Sequence, residues 1–206
     1  MKAWYFSSKD RQLRFNDGRE IEIGVTHEIK GRPVLCKHGL HGSVKILDAL
    51  VYAPGPIVWR VELSGKMDKG DDKIAAQKRK YLSGGVDVSE TLREFARWCA
   101  LQVIDLWEAP DIVKEYLQTG NEEIRDAARA SARAASHAAS ARAASHAASA
   151  RAASHAASAR EASHAASHAA SHAAAHAAAA WDAARGAQNN KLKDMIKKEI
   201  ESDSHN

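Results

Sequence analysis

The chain has 206 residues, a formal net charge of +4 and two cysteines, Cys36 and Cys99, which form neither a CxxC pair nor a disulfide framework. No apolar run approaches the ~18 residues that cross a bilayer, and no charged-apolar-small leader follows Met1, which argues against membrane-spanning and disulfide-scaffolded secreted classes. The expectation is a soluble chain in a reducing cytoplasm, one globular domain plus an extension.

In chain order, Ala3 to Phe6 reads as a strand. Leu13 to Phe15 and Glu20 to Ile23 read as two more, joined at Asn16-Asp17-Gly18 as a hairpin. Pro33-Val34-Leu35 leads into a glycine-punctuated loop, Cys36 to Ser43, and a short helix follows through Val44, Leu47, Leu50 and Val51 with Ser43 as its cap. Pro54-Gly55-Pro56 stops it. Ile57 to Leu63 alternates as a strand with Ile57, Trp59, Val61 and Leu63 on one face, and Lys66 to Lys73 is polar enough to read as a loop.

Asp87-Val88-Ser89-Glu90 resembles a capping box and opens an amphipathic helix through Leu92, Phe95, Ala96, Cys99, Ala100, Val103, Ile104 and Trp107. Pro110 fits the first turn of the next helix, which ends at Gly120. From Glu122 to Arg185 glycine and proline are both absent, so one helix is expected there, ~90 Å long at ~1.5 Å per residue. Gly186 to Asn190 then interrupts, and Leu192, Met195, Ile196 and Ile200 mark a short final helix.

The long segment repeats a nine-residue phrase, Arg-Ala-Ala-Ser-His-Ala-Ala-Ser-Ala, from Arg133, Arg142 and Arg151, with an altered copy from Arg160. Nine residues at ~100° each make two and a half turns, so alternate copies face opposite ways. Ala134, Ala141 and Ala148 gather on one side of the helix and Ala139, Ala143 and Ala150 on the other. Two alanine faces back to back suit lateral self-association, with seams that run straight rather than supercoiled. A solitary solvated helix is the simpler alternative, since alanine has the best helix propensity.

Between Ala127 and Ala180 the only acid is Glu161, so the repeat is basic. Arg133, His137, Arg142, His146, Arg151, His155, Arg160 and His164 are the candidate anion ligands, because guanidinium groups pair with phosphates in a bidentate fork. If helices pack side by side, these faces line a groove for a nucleotide or another phosphate-bearing ligand. Duplex nucleic acid bound through its backbone is a second reading of the same charges, and a polar face that keeps an alanine rod in solution is a third. His164, His168, His172 and His176 follow one another at one-turn spacing, so neighbours can pinch a divalent ion, although the ~40° drift per step prevents all four from sharing one.

In the preceding region Cys36, His38 and His41 make a partial zinc set that His27 or Cys99 would have to complete. His38, His41, Ser43, Asp72 and Lys73 are the candidate site residues of that loop region, and Gly39 and Gly42 read as turn glycines. No Walker loop, nucleophile motif or dinucleotide fingerprint is present, so no catalytic residue is assigned and no cofactor is expected.

Cys36, Gly39-Leu40-His41-Gly42-Ser43, Asp48-Ala49-Leu50, Tyr52-Ala53-Pro54-Gly55-Pro56, Trp59-Arg60-Val61-Glu62-Leu63, Gly70-Asp71-Asp72-Lys73 and Arg93 to Ala100 occur in an order that resembles an uncharacterised domain family frequent in bacteriophage and prophage genomes. The likeness covers roughly the first 120 residues. It implies a compact head domain with a variable, often repetitive tail, and it carries no activity. A glycine-rich loop followed by a short helix and a strand is also loosely similar to ADP-ribosyltransferase cores, with Glu62 and Asp72 the residues such an enzyme would be tested at.

The expected architecture is therefore α+β: a mixed head over residues 1–120, a self-associating alanine-rich helix over 121–185, and a linker with a short amphipathic helix over 186–206. The expected function is a non-enzymatic phage accessory protein in the cytoplasm of an infected bacterial host. Its expected partners are copies of itself, an anionic ligand and a host defence protein, with no membrane. A nucleotide-processing enzyme and a nucleic-acid-binding rod are the alternatives.

Overall fold

The computed structural model describes residues 1–15, 17–138 and 178–203. The single-helix and self-association expectations for the repeat, and the candidate residues from Arg142 to His176, fall on 139–177 and lie outside the described residues. Of the repeat's anion candidates, Arg133 is exposed on a described helix and His137 belongs to the same helix. The chain divides into two compact units, Met1–Val88 with Ile196–Asn206, and Ser89–Met195. The described helices from Ser89 to Ala138 fall in the second of these units.

The strand unit is built on a long antiparallel hairpin. β1 (Lys2–Ser7) is followed by β2 (Thr26–Glu28), β3 (Leu40–Gly42), helix α1 (Ile46–Val51), β4 (Ile57–Lys69) and β5 (Ile74–Asp87). The order across the sheet is β1-β4-β5-β2, with β3 also on β5. β1 runs antiparallel to β4 from Lys2 opposite Glu62 to Ser7 opposite Ile57. β3 takes the Ile74–Ala76 part of the free edge of β5, and β2 the Lys78–Lys80 part. Trp4 and Ser43 exchange backbone hydrogen bonds of 2.7 and 3.0 Å, so the pairing returns from β3 to β1.

Alternation along these strands puts Ala3, Leu40, Trp59, Val61, Leu63 and Tyr81 into one core with Leu13 and Ile21. The Trp59 indole N–H donates to the buried Ser7 hydroxyl at 2.9 Å, which satisfies both polar groups inside an apolar layer. Helix α1 packs on β1, burying Ile46, Leu47, Ala49 and Leu50.

Several expectations are corrected here. The first half of Lys66 to Lys73 is strand, since β4 continues to Lys69, and the loop is confined to Gly70–Lys73 before β5 begins at Ile74. Pairing outweighs the polar composition there. The expected Leu13–Phe15 and Glu20–Ile23 strands reduce to one bridge, Gln12 opposite Glu20, because Arg11 and Phe15 take left-handed backbone angles of +53° and +62° that interrupt extension. Ser43 does not cap α1; the cap position is Lys45, with no side-chain hydrogen bond.

The helical unit contains α2 (Ser89–Leu101), a 3₁₀ turn (Ile104–Leu106), α3 (Asp111–Thr119), α4 (Arg125–Ala138) and the part of α5 (Ala178–Asp203) up to Met195. Leu92, Phe95, Ala96, Cys99 and Ala100 are buried as the spacing of α2 requires. Asp87 closes β5 and pairs with Lys9 at 3.0 Å, and α2 begins two residues later at Ser89. Gly120 ends α3 in the left-handed conformation, donating to the Tyr116 carbonyl at 2.8 Å. Helix α4 packs against α3 and buries Ala128 and Ala132. On α5, Lys191 lies 5.8 Å from the Trp98 ring centroid and Leu192 is fully buried. The interruption expected at Gly186–Asn190 is absent, since α5 runs through it.

Candidate functional site

A cleft of about 560 Å³ opens in the strand unit. β1 contributes Trp4 and Tyr5, the 11–17 loop Arg14 and Phe15, the turn after Pro33 Cys36 and His38, β3 His41, and β5 Arg79. Gly39 sits at φ +144°, and a Cβ there would come within 2.9 Å of the Ala75 side chain. Only glycine lets β3 enter this close to β5.

Arg79 sets the chemistry of the floor. It is 2% exposed, and its guanidinium is fixed on three sides. Nε and Nη2 donate to the Tyr81 hydroxyl at 2.9 and 2.7 Å, and Nη1 donates to the His41 carbonyl at 2.7 Å. The Tyr5 ring lies 3.7 Å from its central carbon. A guanidinium has five N–H groups, so two remain unspent after these bonds. No carboxylate among the described residues pairs with it. Asp17, the one acid on the cleft wall, is held by Arg19 at 2.6 and 2.8 Å.

Behind Arg79 the hydrogen bonds have a fixed sense. The Tyr81 hydroxyl accepts from Arg79, so its proton points to His27 Nδ1, 3.2 Å away. His27 is therefore an acceptor there and neutral. Burial, then Arg19 and Arg79, lower its pKa, while Asp17 and a bond to the Glu20 backbone oppose them. Burial pushes the Tyr81 phenol up to about 12, so it stays protonated.

The wall carries further unspent polarity. His41 Nε2 is buried with no hydrogen-bond partner. Burial, then Arg79 and Lys73, lower the pKa of His41 and favour the neutral ring, opposed by a bond to the Gly39 backbone. Near the mouth the Lys73 ammonium stands 4.0 Å from the Tyr52 ring centroid and against the Cys36 thiol, which raises the lysine pKa. Tyr52 donates a short hydrogen bond to Asp72, the first cause of its own raised pKa.

Of the five loop candidates, His38, His41, Ser43 and Lys73 all line this cleft, and Asp72 reaches it through Tyr52. The zinc set is not assembled. His38 Nε2 faces the Lys30 carbonyl at 2.8 Å, His27 is turned to Tyr81, and Cys99 is buried in α2. Among the described residues no three histidines, cysteines or acids converge as a metal would require. Glu62, the candidate acid of the transferase likeness, is exposed on β4 away from the cleft. Sequence reasoning missed Arg79, because Lys78-Arg79-Lys80 reads as a solvated basic run. The available signal was its place in a strand, two residues from Tyr81 on the same face.

Residues 7–94 match the family model of a domain of unknown function (DUF7666). The matched stretch includes β2 to β5 and most of the cleft wall, with Trp4 and Tyr5 of β1 just before it. No curated protein and no solved structure matches the chain. Among the described residues no helix is long and apolar enough to cross a membrane.

Proposed function

We propose that this is a non-enzymatic binding protein whose strand unit takes a small anionic ligand in the cleft above Arg79. The observation that carries the reading is a cation, 2% exposed, lining an open cleft, with two N–H groups unspent and no acid paired to it among the described residues. Burying an uncompensated charge costs several kcal/mol (~3–5 when a buried pair loses one member), and a bound anion offsets that cost. The unpartnered His41 Nε2 and the Lys73 ammonium support the same reading, because both residues line the cleft and either group could meet a negative charge there. This site in the strand unit is separate from the anion candidates of the repeat, which lie mostly outside the described residues.

The enzyme alternative has less support. A glycosyl-transfer site of the ADP-ribosyltransferase kind needs a free carboxylate at the reacting centre; among the described residues that line the cleft the acid is Asp17, held by Arg19, while Asp72 is engaged by Tyr52 and Glu62 is not among them. In the proposed reading the alanine-rich repeat gathers copies of the chain, and the assembly withdraws a signal or a defence factor in an infected bacterial cell. The support for that wider setting is the two-sided repeat and the motif likeness in the sequence.

Calorimetric titration of the full chain with pyrophosphate tests the site. Binding is expected at low salt, weakening as salt rises. Arg79→Lys is expected to weaken it by about tenfold or more, because a single ammonium keeps the charge but loses the fixed fork. Absence of pyrophosphate binding at low salt would refute the reading.

A further inference from the structure

The cleft carries one feature that anion binding alone does not use. Phe15 lines it, yet the side chain is 91% exposed. Its backbone stands at φ +62°, a left-handed conformation that a bulky aromatic residue rarely adopts and that turns the ring out of the core. Leu13, two residues earlier, is buried in the core cluster, so the loop is anchored on one side of the exposed ring. The Arg14 guanidinium sits 5.2 Å from the ring centroid on one face. A cation over one face of an aromatic ring leaves the other to stack on a planar, electron-rich partner.

The charges of the same wall favour a ligand of more than one negative charge. Arg14, Lys37, Lys73 and Arg79 all line the cleft, against Asp17, which Arg19 already holds. The volume of about 560 Å³ falls within the ~300–1,000 Å³ typical of small-molecule sites, larger than an inorganic anion fills. Resting on the anion-binding reading above, we propose that the ligand is a nucleoside diphosphate, its phosphates directed to Arg79 and His41 and its base stacked on Phe15.

The test compares pyrophosphate with ADP, GDP, CDP and UDP in calorimetric titrations of the full chain, alongside Phe15→Ala and Phe15→Tyr. At least one nucleotide is expected to bind about tenfold or more tightly than pyrophosphate, the scale of one base–aromatic stack. Phe15→Ala removes that margin and leaves pyrophosphate affinity unchanged, and Phe15→Tyr keeps the margin. The side chain is almost wholly in solvent, so the substitution leaves the core intact. If no nucleotide exceeds pyrophosphate, or if Phe15→Ala weakens both alike, the base-stacking inference falls while anion binding stands. If neither pyrophosphate nor any nucleotide binds, both readings fall.

Discussion

His27 couples the cleft floor to pH. Its Nδ1 accepts the Tyr81 proton, so a protonated imidazole would meet the hydroxyl hydrogen head on and disrupt the bonds that hold Arg79. The pKa of His27 in the fold lies below its ordinary 6.5, so in the interval between the two values the unfolded chain binds more protons. Stability is then complete above pH 6.5 and declines as pH falls through the folded value. Thermal unfolding between pH 7.5 and 5.5 should record a falling Tm, and His27→Gln should flatten the fall. His41 carries the opposite sign for ligand. Its pKa is depressed by burial and by Arg79 and Lys73, and an anion beside Nε2 would favour the charged ring, so binding there takes up a proton. Sulfate, whose charge is constant over this range, should bind more tightly at pH 6 than at pH 8, and His41→Gln should abolish the difference.

At the scale of the element, the β4–β5 hairpin shows what pairing adds to pattern. Ile57 to Leu63 is legible because its alternation is strict, whereas Lys66 to Lys69 and most of β5 are polar on the open side and carry no such signal. The pairing register, with slips at Val58/Trp59, Arg60/Val61 and Ser64/Met67, is also absent from the sequence pattern, because bulges depend on the partner strand. Gly84 marks the first slip. It stands at φ +106°, and a Cβ there would press on the Val58 carbonyl oxygen and come within 2.9 Å of Trp59 Cα. Gly84→Ala should therefore cost about 2 kcal/mol or more, read as a lower denaturation midpoint at unchanged slope. Gly186 gives the contrasting case. It was read as a break, but it lies inside α5, and a Cβ there meets nothing within 4 Å. Gly186→Ala should stabilise the chain by about 0.5–1 kcal/mol, the helix-propensity difference. A loss of stability would show that the helix does not continue there.

At the scale of the molecule, the most repetitive part of the chain and the candidate cleft are different stretches of sequence. The repeat advertises its arginines and histidines because each recurs at fixed spacing. The cleft brings together Tyr5, His41, Lys73 and Arg79 from separate elements. His41 and Lys73 were legible because glycine and charged turns set them apart locally. Arg79 and Tyr81 were not, since what marks them as a candidate site is the strand pairing that buries a cation with no acid paired to it among the described residues. The amphipathic spacing of α2 was legible because a helix face is a local property.

The measurement that bears most directly on the uncompensated cation is thermal unfolding of the full chain with pyrophosphate added at constant ionic strength. A ligand that binds only the folded state raises Tm progressively with its concentration. The expected result is such a rise in the native chain and a much smaller one in Arg79→Lys. A Tm that does not move with pyrophosphate, or that moves equally in both proteins, would contradict an anion site at Arg79.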